Sequence, residues 1–192
     1  GAGLCPVLQL RNEGIPVAYG TDGSNCGPAS FLETLRLAAH LMRLTENDFE
    51  KWPNSQQILK EAYQNGARAL GWEGRLGALE PGMCADFVVL QPVKHWHLPM
   101  GDPFRHLFYY ENGQSTESVW VDGEQVVKDG FVTTINEQDL LAEAAEIVTR
   151  RKEKMPNDIA ERVASQYPVF KDMIIKTLTA EEPKLKRRFD LQ

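Results

Sequence analysis

Ile15-Pro16-Val17-Ala18-Tyr19-Gly20-Thr21-Asp22-Gly23-Ser24-Asn25 is the stretch on which the reading of the chain turns. The apolar run from Ile15 to Tyr19, bounded by Gly14 and by Gly20-Thr21-Asp22-Gly23, predicts a buried strand entering a tight turn. Pro16 fits among its first positions, where a missing N–H is tolerated. Beyond the turn the period changes. Phe31, Leu32, Leu35, Ala38, Ala39 and Met42 recur at helical spacing, and Pro28 stands where an early-helix proline belongs. The order is strand, Gly-rich turn, helix. A carboxylate at the C-terminal end of a parallel barrel strand sits where such enzymes place catalytic groups. Asp22 can there bind a cation or take a proton from water. Taken alone, Thr21-Asp22-Gly23 is more simply an Asx-type turn that closes a strand.

Working outward, a second helix is expected from about Ser55 to Leu70, with Ile58, Leu59, Ala62, Tyr63, Gly66 and Ala69 on one face, Asn54 as N-cap and Gly71 as its stop. After Trp72 the texture turns to strands. Glu80-Pro81-Gly82 has the residue order of a type II turn, and Phe87-Val88-Val89-Leu90 reads as a buried apolar strand. Ser118–Val121 and Gln125–Val127 flank Asp122-Gly123, a hairpin signal, and Asp129-Gly130 turns the chain into Phe131-Val132-Thr133. Short strands of this kind suit a small sheet or sandwich rather than a parallel α/β core. Asn136 caps a helix carrying Leu140, Leu141, Ala144, Ala145 and Val148. One helical pattern follows Pro156 through Ile159, Val163 and Tyr167, and a last one uses Phe170, Met173, Ile174 and Leu178. The segment between Lys94 and Thr116 carries no readable period.

The composition narrows the function classes. The chain has 192 residues, 42% apolar and 25% charged, which is ample for a core. Its net charge of -6 gives no electrostatic case for nucleic acid, and the one basic run, Lys184, Lys186, Arg187 and Arg188, reads as a solvated tail. Cys5, Cys26 and Cys84 lie far apart in an odd count, which argues against a disulfide framework and for a reducing compartment. No apolar run approaches the ~20 residues that cross a bilayer. The expectation is a cytoplasmic protein that binds neither membrane nor nucleic acid.

Other chemistry-bearing residues have simpler readings. His95-Trp96-His97 would chelate a metal from one face of a strand, but it lies among prolines after the Asp22 motif. His40 on a helix and His106 near an expected strand read as core-edge or surface histidines. Cys26 has no motif-placed base and reads as a loop residue. Asp86, at a strand entrance, reads as structural. A P-loop, a Gly-x-Gly-x-x-Gly turn and a Gly-x-Ser-x-Gly elbow are all absent.

Four motifs in order carry a resemblance. They are the strand with Gly20-Thr21-Asp22-Gly23, the helix ending Gly66-Ala67-Arg68-Ala69-Leu70-Gly71, the run Gly77-x-Leu79-x-Pro81-Gly82-x-x-Ala85-Asp86-Phe87-Val88-Val89-Leu90, and Val121-Asp122-Gly123-Glu124-Gln125-Val126-Val127-Lys128-Asp129-Gly130. Together, over about residues 4 to 150, they resemble the C-terminal part of the amidohydrolase superfamily. The branch is that of cytosine, guanine and methylthioadenosine or S-adenosylhomocysteine deaminases and triazine chlorohydrolases. The resemblance implies an α/β fold: the last strand and helices of a metal-dependent hydrolase (β/α)₈ barrel over residues 1–72, part of a small β-sandwich over 73–135, and C-terminal helices over 136–192. It also implies that the complete enzyme holds one divalent ion, Zn or Fe, and hydrolyses a C–N or C–Cl bond of a small heterocyclic substrate. Asp22 matches the family's strand-eight aspartate, a metal ligand or near-ligand and the base that takes a proton from the attacking water and passes one to the leaving group. Ser24 and Asn25 follow on the loop that borders the substrate.

The departures are as informative. The family's other ligands are a His-x-His pair and two later histidines, all before that aspartate, and no histidine precedes Asp22. One carboxylate does not make a zinc site of three or four ligands, and a barrel of this kind takes ~250 residues. The expectation is therefore a portion of a longer enzyme, inactive and metal-free by itself. The alternative is a non-catalytic interaction or structural module derived from the same family. An unpaired strand at Ile15–Tyr19 would invite association with a second copy.

Overall fold

The structure, a computed structural model, describes residues 4–23, 26–27, 29–91, 101–156 and 158–179. The chain divides into two compact units, Gly1–Ile135 and Asn136–Gln192.

In the first unit helices α1 (Val7–Asn12), α2 (Phe31–Thr45), α3 (Ser55–Ala69) and α4 (Pro103–Tyr109) surround one apolar cluster. α2 begins at Phe31, later than Pro28 suggested, because Ser30 is the N-cap and its Oγ accepts from Glu33 N–H at 3.3 Å. α3 forms as expected and closes a capping box. Asn54 Oδ1 accepts from Gln57 N–H and Gln57 Oε1 from Asn54 N–H, both at 2.9 Å. The spacing of Leu35, Ala39 and Met42 on α2 and of Ile58, Leu59 and Ala62 on α3 puts each set on one buried face. Phe108 of α4 is fully buried among them. Each large side chain of this set contributes about 1.5–3 kcal/mol by leaving water. Neither α1 nor α4 is visible as a period in the sequence, being less than two full turns and just under two turns long. α4 is announced only by Asp102-Pro103, a cap with proline at the first turn. His106 lies on this helix and not beside a strand, and His40 is exposed on α2.

A four-stranded antiparallel sheet follows the order β1 (Phe87–Leu90), β2 (Thr116–Val121), β3 (Glu124–Lys128) and β4 (Phe131–Val132). Both tight turns are Asp-Gly pairs with positive φ at each residue, 49° and 82° at Asp122-Gly123 and 53° and 82° at Asp129-Gly130, the conformation that matches strand twist. Phe87 stacks on its cross-strand partner Trp120 with ring centroids 5.7 Å apart. Pro81-Gly82 turns as expected, with Gly82 at φ 91° and Met83 N–H donating to Glu80 O at 3.1 Å. β1 forms where expected but is not buried. Val88 and Val89 are exposed, since a continuous apolar strand is covered only when a second layer lies on each face, and one sheet layer is present among the described residues.

The larger correction concerns residues 15–20, which form no strand. A strand exists only as one side of a ladder, and no described segment pairs with this one.

The second unit consists of α5 (Glu137–Glu153) and α6 (Ile159–Thr179). Asn136 caps α5 as expected, its Oδ1 accepting from Gln138 and Asp139 N–H. The two patterns after Pro156 are one helix, which runs through Pro168. No helix among the described residues is long and apolar enough to cross a membrane.

Candidate functional site

The segment that leads to Asp22 keeps the two-residue alternation of a strand although it lacks a ladder. Val17, Tyr19 and Thr21 are half-buried, whereas Pro16, Ala18, Gly20 and Asp22 are exposed. One face packs on the helices. Tyr19 lies against the apolar cluster, and Asn65 Nδ2 of α3 donates to Val17 O at 3.0 Å. Asp22 belongs to the other, uncovered face.

The helical side of the segment is braced by Arg11 of α1. Its Nε and Nη2 donate to both carboxylate oxygens of Glu61 on α3, at 2.7 and 2.6 Å. That hydrogen-bonded carboxylate raises the Arg11 pKa. Burial pushes the Tyr19 phenol up, and Glu61 adds to the effect. These residues escape a reading of the sequence because Arg11 and Glu61 stand 50 positions apart and no local pattern links them.

Asp22 itself has φ 59°, in the left-handed region that few residues other than glycine adopt. Its Oδ1 accepts from Gly23 N–H at 2.7 Å, so the side chain stabilises its own turn. Cys26 is exposed, and its N–H donates to Gly23 O at 2.9 Å. Ser24 and Asn25 lie outside the described residues, as do the His95-Trp96-His97 pair and the basic run from Lys184 to Arg188.

Asp86 is structural. Its Oδ1 accepts from Asp122 N–H at 2.7 Å and ties the entrance of β1 to the β2–β3 turn. Gly77 is set by close approach and by φ 96°. A Cβ there would stand 3.0 Å from Tyr63 O and 3.2 Å from Gln64 Cα, so the third motif lies directly on α3.

Among the described residues no three of His, Cys, Asp and Glu come together as a group that could hold a metal ion. Zinc takes three or four such donors. Asp22 supplies one, so these residues do not fit a complete zinc site by themselves.

The profile of the amidohydrolase family matches residues 1–126. The 5-methylthioadenosine/S-adenosylhomocysteine deaminase 1 of Syntrophus aciditrophicus (strain SB) is 31% identical over 159 residues, 82% of this chain and 36% of that protein. A deaminase of the same name from Teredinibacter turnerae is 36% identical over 147 residues, 76% of this chain and 33% of the relative. Among solved structures, an adenosine deaminase from Xanthomonas campestris with bound zinc superposes with a TM-score of 0.73 at 26% identity, covering 79% of this chain and 35% of that one. The atrazine chlorohydrolase of Arthrobacter aurescens TC1 complexed with zinc superposes with a TM-score of 0.68 at 28% identity, covering 76% and 32%. The chain thus spans about a third of the length of the curated relatives it matches. With the profile covering most of its length and the four motifs in the family's order, the chain belongs to the amidohydrolase family.

Proposed function

We propose that this chain is the C-terminal portion of a metal-dependent amidohydrolase which hydrolytically deaminates, or dechlorinates, a small nitrogen heterocycle. The observation that carries the reading is the two-faced segment ending at Asp22. Tyr19 packs against the helical cluster, Val17 and Thr21 are half-buried on the same side, and Asp22 stands on the exposed face, as a barrel strand presents its catalytic group. Residues 1–72 are then the end of a (β/α)₈ barrel, 73–135 part of a small β-sandwich and 136–192 a set of C-terminal helices. The similar deaminases and the chlorohydrolase support a heterocyclic substrate, and zinc in the solved relatives supports zinc rather than iron.

In this reading Asp22 is both a metal-binding and the catalytic carboxylate. Its carboxylate takes a proton from the attacking water as the water oxygen bonds to the sp² ring carbon. The proton then goes to the departing amine, or remains with the carboxylate while chloride leaves. Ser24 and Asn25 border the substrate. The remaining metal donors come from residues other than those described, and the protein works in the cytoplasm on a diffusible substrate, without nucleic acid or membrane. Pairing of the 15–20 edge with a second copy would give a homo-oligomer.

The test is Asp22→Asn in the complete enzyme that carries this chain, assayed on methylthioadenosine, adenosine and a chlorotriazine. The proposal expects kcat/KM on whichever compound is turned over to fall by about 10³-fold or more, with an unchanged circular dichroism spectrum. Retained activity in the folded variant would remove Asp22 from the chemistry. A complete protein that hydrolyses none of these compounds and binds no zinc would favour the non-catalytic module.

A further inference from the structure

Asp102, Arg105, His106 and Tyr109 fall at i, i+3, i+4 and i+7 on α4, which puts them on one stripe. That stripe lines a cavity of about 610 Å³ together with Arg43, near the end of α2. A second hollow of about 330 Å³ shares Arg43, Asp102, Arg105 and Tyr109 and reaches Asn54, Ser55 and Gln56 at the start of α3. Neither includes a residue of the Asp22 loop.

The charge of this cleft opposes that of the chain. Two guanidinium groups face one carboxylate, and Asp102 is already engaged as the α4 cap, its Oδ1 accepting from Phe104 N–H at 2.9 Å. His106 is engaged as well, its Nε2 accepting from Gly101 N–H at 3.1 Å. Arg43 is held in place beforehand. Its Nη2 donates to Tyr109 Oη at 2.7 Å, and its guanidinium lies 5.6 Å from the centroid of the Trp52 ring. Tyr109 is in turn fixed by packing edge-on against the buried Phe108, 4.9 Å between centroids. Arg105 has no hydrogen bond or ion pair among the described residues. A fixed guanidinium, a free one and the start of α3, whose dipole favours negative charge, are the elements from which proteins build oxyanion sites.

We propose that this cleft binds the oxyanion group, phosphate or carboxylate, of a small molecule, at a site separate from Asp22. Arg105 and Arg43 grip the group, and Tyr109 keeps Arg43 aimed. The proposal does not depend on the catalytic role of Asp22.

The experiment is calorimetric titration of the full chain at low ionic strength with inorganic pyrophosphate and, separately, with citrate. The wild-type chain is expected to bind at least one of the two saturably with one ligand per chain, weakened about tenfold by physiological salt. Arg105→Gln, at an exposed position of α4, should lose about tenfold or more in affinity with an unchanged circular dichroism spectrum. Lys60→Gln, an exposed α3 lysine outside the cleft, should bind like wild type. Pyrophosphate alone would assign a phosphoryl ligand and citrate alone a carboxylate. Absence of saturable binding for both, or equal affinity in Arg105→Gln and wild type, would overturn the proposal.

Discussion

Two regions of the first unit are written in strand-forming residues, and only one becomes a sheet. β2 and β3 are joined by a two-residue Asp-Gly turn and β3 and β4 by another, so their partners are adjacent in sequence and the ladder closes locally. Ile15 to Thr21 also has an apolar run and keeps the alternation of a strand, but no described segment pairs with it. Its place is held instead by side chains: Tyr19 in the apolar cluster, and Asn65 on the Val17 carbonyl. A sheet built of hairpins needs only its own residues, whereas a barrel strand needs distant neighbours. The candidate carboxylate Asp22 follows the segment that has no ladder among the described residues.

Hydrogen exchange reads this difference most strongly. Amides of β2, which lies between β1 and β3, should exchange at least about a hundredfold more slowly than those of residues 17–20, relative to their unstructured rates. Equal protection would mean that the 15–20 segment has found a ladder partner, and light scattering would then show whether that partner is a second copy.

The next largest effect should come from the helical layer that supports the segment. Phe108→Ala removes a fully buried ring and should destabilise the first unit by about 3–5 kcal/mol in urea unfolding. Val88→Thr, at an exposed position of β1, should change stability by no more than about 0.5 kcal/mol.

Glu111, buried between α4 and β2, gives an intermediate effect with a pH signature. Burial pushes its carboxyl up, but hydrogen bonds, among them those from the backbone N–H groups of Gly113, Ser115 and Asn112, outweigh this and hold its pKa below the usual range. A depressed carboxyl stabilises the fold above its unfolded pKa, and that stability is lost as pH falls through the folded value. Glu111→Gln should therefore cost about 1–3 kcal/mol at neutral pH. The gap to wild type should narrow as unfolding is repeated at progressively more acidic pH. A gap that does not narrow would show that the charge is immaterial.

Asn65→Ala should cost about 0.5–1.5 kcal/mol, through the loss of one bond to Val17. Exchange at residues 17–20 should rise selectively while β2 is unchanged.

What could be read from the sequence follows the same division. Elements defined by local rules are legible: the Asn54 cap, the apolar faces of α2 and α3, the two Asp-Gly turns and the Asn136 cap. α1 and α4 are not, because a helix of 6 or 7 residues is too short to show a period, and packing of Leu8 and Phe108 decides it. The single helix through Pro168 reads as two patterns in the sequence. At the candidate site Asp22 was identifiable from its Gly-Thr-Asp-Gly setting. The Arg11–Glu61 brace and the Asn65 contact were not, because they join residues 50 and 48 positions apart.

We propose that Asp22 is one donor of a hydrolytic metal site that the described residues do not complete. Its most direct test is the zinc content of purified residues 1–192 after exposure to zinc and removal of the excess, with turnover of an aminopurine, an aminopyrimidine and a chlorotriazine measured on the same sample. Well under one zinc per chain and no turnover are expected. One zinc per chain that is lost in Asp22→Asn, together with turnover, would contradict it.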